Sequence, residues 1–234
     1  MDYEYEDCEL SPRQRKEKKQ KKLSDLKDKL KEELGSINPI EIKPRAKIAK
    51  KFWAKKWYEN LSEYEDLDYR LQTGRQLLSA GAVVDFKVEA LNLEAKVFDE
   101  SLYDIKIKFK KVSDLSKDKI SKALQKELCS LNDLLLGKVS GEICQIIVDK
   151  ENGLFPSQEE ISFDCNCMDY ADLCSHVAAC LCSVVVLFDQ DPSIFFQLRD
   201  LEPQELIKSR KKTESKSPLK TEDLSQIFGI QLDS

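Results

Sequence analysis

The chain has 234 residues, 41% hydrophobic and 35% charged, with 38 Lys+Arg against 43 Asp+Glu and a formal net charge of −5. That length allows one domain or two small ones with a buried core, and seven Gly and seven Pro exclude collagen-like and other low-complexity classes. The longest apolar-leaning run, Val177 to Phe188, has 12 residues, too few to cross a bilayer as a helix, which takes about 20.

The acidic start, MDYEYEDCEL, has no apolar stretch of the kind a secretory signal carries. The expected localisation is therefore cytoplasmic. Charge is distributed unevenly. Residues 1–12 carry five acids and no base, residues 13–56 carry 17 Lys+Arg against 6 Asp+Glu, and residues 57–207 carry 15 against 28. Residues 208–220 are basic again, with 6 against 1. An acidic body with two basic flanks, 13–56 and 208–220, points to a polyanion or an acidic partner near the flanks.

In chain order, RQRKEKKQKK (13–22) is a charge run with no apolar face, followed by Leu23, Leu26, Leu30 and Leu34 at helical spacing. Gly35 ends that short helix, and Pro39 and Pro44 mark an extended connector. From Ala46 a helical stripe runs through Ala49, Phe52, Trp53, Trp57 and Leu61, read as core packing. GRQLLSAG (74–81) reads as a link bounded by glycines.

Three alternating runs follow. Ala82, Val84, Phe86 and Val88 share one face, then Leu91, Leu93, Ala95 and Val97, then Tyr103, Ile105, Ile107 and Phe109. Period-two alternation predicts an antiparallel meander with one wet face. The last run opposes its apolar face with Lys106, Lys108 and Lys110, read as lysines that guard an edge strand. Ser113 opens a helical region with Ile120, Leu124, Leu128 and Leu131 in a stripe that ends before Gly137, and a further helix is expected over 141–150. SRKKTESKSPLK (209–220) reads as disordered linker, and DLSQIFGIQL (223–232) as a fraying end, with a short motif that docks a helix on a partner as the alternative.

The chemistry concentrates near the C-terminal third. Eight cysteines occur in the chain, and five fall between Cys165 and Cys182. Without an export signal such cysteines are metal ligands, reactive thiols or small buried apolar groups. The string FDCNCMDYADLCSHVAACL contains C-x-C-x6-C-x-H: Cys165, Cys167, Cys174 and His176. Tetrahedral Zn²⁺ requires four converging nitrogen or sulfur ligands. Residues i and i+2 of an extended chain face one side, so Ile161, Phe163, Cys165 and Cys167 can align, with MDYAD reversing the chain. Asp172 is expected to cap a helix from Leu173, which places Cys174 and His176 on its first turn. His176 is the chain's only histidine. Cys180 and Cys182 read as packing residues.

This string resembles the SWIM zinc finger, CxCx(n)CxH. LLLGKVSGEI, GLFPS, DQDPSIFFQLRDL, FWAKKWYENL and the meander are similar to blocks of bacterial SWIM-type proteins found alongside Swi2/Snf2-type helicases, covering roughly residues 40–202. The resemblance implies Cys165, Cys167, Cys174 and His176 as ligands of Zn²⁺, and a helicase or DNA as partner. Tyr170 stands where such proteins usually carry Trp, and Ser175 where Lys is common. The expected class is α+β: a small antiparallel β-meander packed with helices, then a helical segment and a ββα SWIM finger. The expected organisation is a charged extension (1–38), a helix-plus-meander domain (39–112), a helical connector (113–154), the finger (155–202) and a basic tail (203–234).

Four protein ligands leave no open position for a catalytic water. The sole histidine is taken by the metal, and no phosphate-binding glycine loop is present. The expected role is a non-enzymatic zinc module mediating nucleic-acid or protein interaction, with DNA contact through 13–56 and 208–220. The alternative is a thiol redox protein using Cys165 and Cys167.

Overall fold

The computed structural model describes residues 10–43, 46–64, 67–127, 129–169 and 173–208. Cys8, Leu128, the Tyr170–Asp172 part of the turn with its expected cap, and the segments 209–220 and 223–232 lie outside the described residues. The fold is α+β, built around a four-stranded antiparallel sheet: β1 (Val83–Glu89), β2 (Asn92–Phe98), β3 (Leu102–Phe109) and β4 (Ile161–Cys165), in spatial order β1-β2-β3-β4. The first three strands form the meander that the alternation predicts. Leu93, Ala95, Val97, Ile105, Ile107 and Phe109 all enter one core.

Two features of the sheet differ from expectation. Register slips between Val83 and Asp85, a bulge that turns consecutive residues out of strict alternation. Phe86 therefore joins the main core, while Val84 packs with Phe98 in a separate cluster. Secondly, β3 is not an edge strand. The segment expected to carry the finger supplies β4 to the same sheet, with Ile105 opposite Cys165 and Phe109 opposite Ile161. The lysines of β3 do not guard an open edge. Lys106 pairs across to Glu94 at 3.7 Å, and Asp104 receives Lys96 at 2.5 Å.

The N-terminal charge run is helical. α1 (Pro12–Leu34) starts with a capping box between Ser11 and Gln14 and with proline in its first turn. Its Leu23 and Leu30 dock with Val84 and Phe98, so the apolar half of the helix anchors the charged half. α2 (Phe52–Ser62) buries Trp53 and Trp57 completely. The chain entering α2 is held by Asp189, whose carboxylate accepts from the backbone amides of Lys50 at 2.9 Å and Lys51 at 2.7 Å.

The 74–81 segment is not a link: Gly74 lies inside α3 (Leu67–Ser79). A Cβ there would meet the Ala178 carbonyl carbon and the Ala179 nitrogen at 2.5 Å, so the glycine serves close helix crossing rather than a turn. Beyond the meander, α4 (Asp114–Lys126), α5 (Leu131–Leu136) and α6 (Gly141–Ile147) start at the caps Ser113, Ser130 and Ser140. Gly137 closes α5 in the left-handed conformation at φ 66°.

Helix α7 (Ser175–Gln190) runs through the middle of the molecule. Every residue from His176 to Val186 is buried. It packs against α3, α2 and all four strands. Two short helices, α8 (Ser193–Leu198) and α9 (Pro203–Lys208), complete the described chain. One continuous core joins residues from Ile48 to Leu206, so the segments 39–112, 113–154 and 155–202 share it. No helix among the described residues is long and apolar enough to cross a membrane.

Candidate metal centre

The end of β4 and the start of α7 meet at one point. Cys165 is the last residue of β4, held opposite Ile105 by the β3–β4 ladder. The ladder is extended by Asn166, the residue between the two first cysteines. Its side-chain oxygen accepts from the Asp104 amide at 2.9 Å, and its own amide donates to Asp104 at 3.4 Å. Cys167 lies just past the strand. The adjacent Asp169 carboxylate is fixed to Arg70 of α3 at 2.7 Å.

The helix starts two residues later than expected, and with a different cap. α7 begins at Ser175, and its N-cap is Cys174, whose sulfur accepts the Val177 amide at 3.4 Å. Cys174 thus occupies a position usually taken by Ser, Thr, Asp or Asn. His176 falls in the first turn, where unsatisfied amides and the helix dipole favour negative charge.

All four predicted residues come together. The ligating atoms of Cys165, Cys167, Cys174 and His176 lie within 4.8 Å of one another. Nδ1 of His176 is 3.9 Å from the Cys165 sulfur and 3.8 Å from the Cys174 sulfur. A tetrahedral ion with sulfur ligands at 2.3 Å has ligand–ligand edges of about 3.8 Å, so the cluster could hold a metal ion with little adjustment. Burial pushes the Cys165 and Cys174 thiols up and pulls the His176 imidazole down, the last opposed by Asp99. All three shifts favour the neutral form of the side chain. A bound cation would reverse this for sulfur, since a coordinating thiol is deprotonated.

Three residues around the site carried no motif signal. Tyr103 stacks on the His176 ring, with centroids 4.1 Å apart and planes at 26°. Asp99, in the β2–β3 connection, places Oδ2 3.8 Å from Nε2 of His176. Lys19 of α1 pairs with the other oxygen of Asp99. Alternation exposed Tyr103 as a strand residue, but nothing in the sequence pattern brings positions 19, 99 and 176 together. The remaining described cysteines stay outside. Cys180 and Cys182 are buried among apolar residues, Cys182 directing its sulfur at the Leu71 carbonyl at 3.7 Å. Cys129 and Cys144 are half-buried elsewhere.

No protein-family model matches the chain, and no solved structure matches it. Over 166 residues the chain is 28% identical to the uncharacterized protein Rv2102 of Mycobacterium tuberculosis, covering 70% of this chain and 60% of that protein. The alignment thus spans less than two thirds of the relative's length.

Proposed function

We infer that the Cys3His cluster is a structural zinc site of SWIM type, and that the chain is a non-enzymatic cytoplasmic module that brings nucleic acid and a protein partner together. A Swi2/Snf2-type helicase is the partner the motif suggests. The observation that carries the zinc reading is the convergence of three thiols and one imidazole nitrogen at near-tetrahedral spacing. Oxygen-preferring Mg²⁺ and Ca²⁺ do not suit such a donor set, whereas Zn²⁺ does. Four protein ligands complete its shell, which fits a structural rather than a catalytic ion.

The nucleic-acid part of the reading is supported by α1. Between Pro12 and Lys22 the helix carries seven Lys+Arg and one Glu, and its apolar anchors Leu23 and Leu30 lie beyond them. A cationic helix half displayed on an acidic body suits a phosphate backbone. The protein part is supported by Met168, 89% exposed just after the C-x-C pair, a soft apolar side chain beside the candidate site. The redox alternative is disfavoured because Cys165 and Cys167 converge with a third thiol and an imidazole, a donor set suited to a metal rather than to a free dithiol, and burial raises the Cys165 thiol.

Metal analysis of full-length protein purified without chelator tests the first claim. About one zinc per chain is expected, lost in Cys174→Ser and His176→Ala and retained in Cys182→Ser. Zinc-free protein with reversible oxidation of Cys165 and Cys167 would replace it with the redox reading. For DNA, affinity should fall with salt with a log–log slope near −0.9 for each phosphate neutralised. Replacing Arg15, Lys16 and Lys21 by Ser should flatten that slope; an unchanged slope removes α1 from the interface.

A further inference from the structure

Resting on the zinc reading above, we propose that Asp99 is the carboxylate that positions His176 for the metal, and that Lys19 ties this carboxylate to the basic helix α1. The two ring nitrogens of His176 face different surroundings. Nδ1 looks at the Cys165 and Cys174 sulfurs. Nε2 points away from them, is buried, and has no hydrogen-bond partner among the described residues. Oδ2 of Asp99 stands 3.8 Å from it. Closing that gap by about 1 Å gives a normal hydrogen bond, and a buried N–H left without an acceptor is costly.

The chemistry is directional. A carboxylate facing Nε2 stabilises the tautomer with the proton on Nε2, which leaves the Nδ1 lone pair free to ligate. Ligating histidines commonly donate their second N–H to such a partner, which fixes ring orientation and raises basicity. Tyr103 stacked on the ring restrains its tilt, so the carboxylate and the phenol together fix where Nδ1 points. Asp99 itself is braced by its backbone, since its amide donates to the Ser101 carbonyl at 3.0 Å.

The second oxygen of Asp99 takes the Lys19 ammonium from the charged half of α1. One carboxylate therefore holds a cation of the proposed nucleic-acid helix with one oxygen and faces the ligand imidazole with the other. The apolar anchors of α1 lie further along, at Leu23 and Leu30. Docking of the charged half and the geometry of the metal centre are linked through Asp99. A polyanion that draws Lys19 away changes the field at His176.

The test measures zinc affinity of the full chain by competition with a chromophoric chelator, and reads the His176 tautomer by long-range proton–nitrogen NMR. The lone histidine makes that assignment unambiguous. Asp99→Ala is expected to lower zinc affinity about 10–100-fold. Asp99→Asn, whose amide oxygen still accepts a hydrogen bond, should lose less, and Lys19→Met should lose affinity in the same direction by a smaller factor. The wild-type ring should carry its proton on Nε2. Zinc affinity within about twofold of wild type in Asp99→Ala, with the tautomer unchanged, overturns the proposal. Should Asp99→Ala fail to fold, the near-isosteric Asp99→Asn and the surface variant Lys19→Met decide it: wild-type affinity in both overturns it. Wild-type protein that takes up no zinc refutes the metal reading itself, before any variant is compared.

Discussion

Gly74 has an ordinary helical backbone, so conformational freedom does not explain it. An exposed mid-helix Gly replaced by Ala gains about 1 kcal/mol from propensity. Here the added methyl would meet main-chain atoms of α7 at 2.5 Å, atoms that cannot rotate aside. Gly74→Ala is therefore expected to destabilise by about 1–3 kcal/mol, as overpacking does, seen as a lower midpoint in urea unfolding. A rise in the midpoint would mean that α3 and α7 can separate at no cost. The packing cysteines offer a second check at this scale. Burial pushes the Cys182 thiol up to about 12 and the Cys180 thiol well above its usual value. Thiolate is the reactive species, so neither should react with a disulfide reagent at pH 8 until denaturant is added. Mass mapping of the labelled positions reads this directly.

Among the elements, β4 has the most demanding placement, because it must deliver Cys165 to within reach of α7. Arg199, almost fully buried after α8, does part of this. Its guanidinium donates to the Lys110 carbonyl at 2.9 Å, where β3 ends, and reaches Glu160 at 3.3 Å, where β4 begins. The pair straddles both strands at the end of the ladder opposite the metal centre. Arg199→Met keeps the apolar stem and removes those bonds. It is expected to cost about 1.5–3 kcal/mol, the usual range for hydrogen bonds to a charged group. Amide exchange should speed up first in β4; uniform loss of protection would instead assign Arg199 to the core as a whole. Nothing in the periodicity of DPSIFFQLRDL distinguishes this arginine from a surface one.

Across the whole molecule, the candidate metal centre borders a core built mostly of residues that belong to no ligand set. Small zinc fingers unfold without metal because little else holds them. Here the candidate ligands come from the end of β4, the turn just after it, and the cap and first turn of α7. The rest of α7 buries Leu181, Val184, Val185 and Phe188 against α2, α3 and the sheet, each such side chain contributing about 1.5–3 kcal/mol. Chelation is therefore expected to lower the thermal midpoint while leaving the far-ultraviolet helical signal close to that of the loaded protein. Exchange protection should fall around Cys165–Asp169 and the start of α7. Collapse of the helical signal on chelation would show that the ion holds the fold rather than the site.

How much of this was legible beforehand depends on the range of the interaction. The meander is written in local alternation, the helix start at Ser113 in a single residue, and the four candidate ligands in their spacing. Each follows from the geometry of a few consecutive residues. The bulge at Val83, the pairing of β4 with β3, the use of Gly74 for a helix crossing and the Lys19–Asp99–His176 chain were not legible. All of them join positions far apart in sequence, and their energies exist only once the core has brought those positions together. The sequence by itself determined which four side chains could take a metal, because donor type and spacing are local chemistry. Only the tertiary structure decided which nitrogen of His176 faces the thiols and which carboxylate stands behind it, because that depends on how a strand, a helix and a hairpin pack.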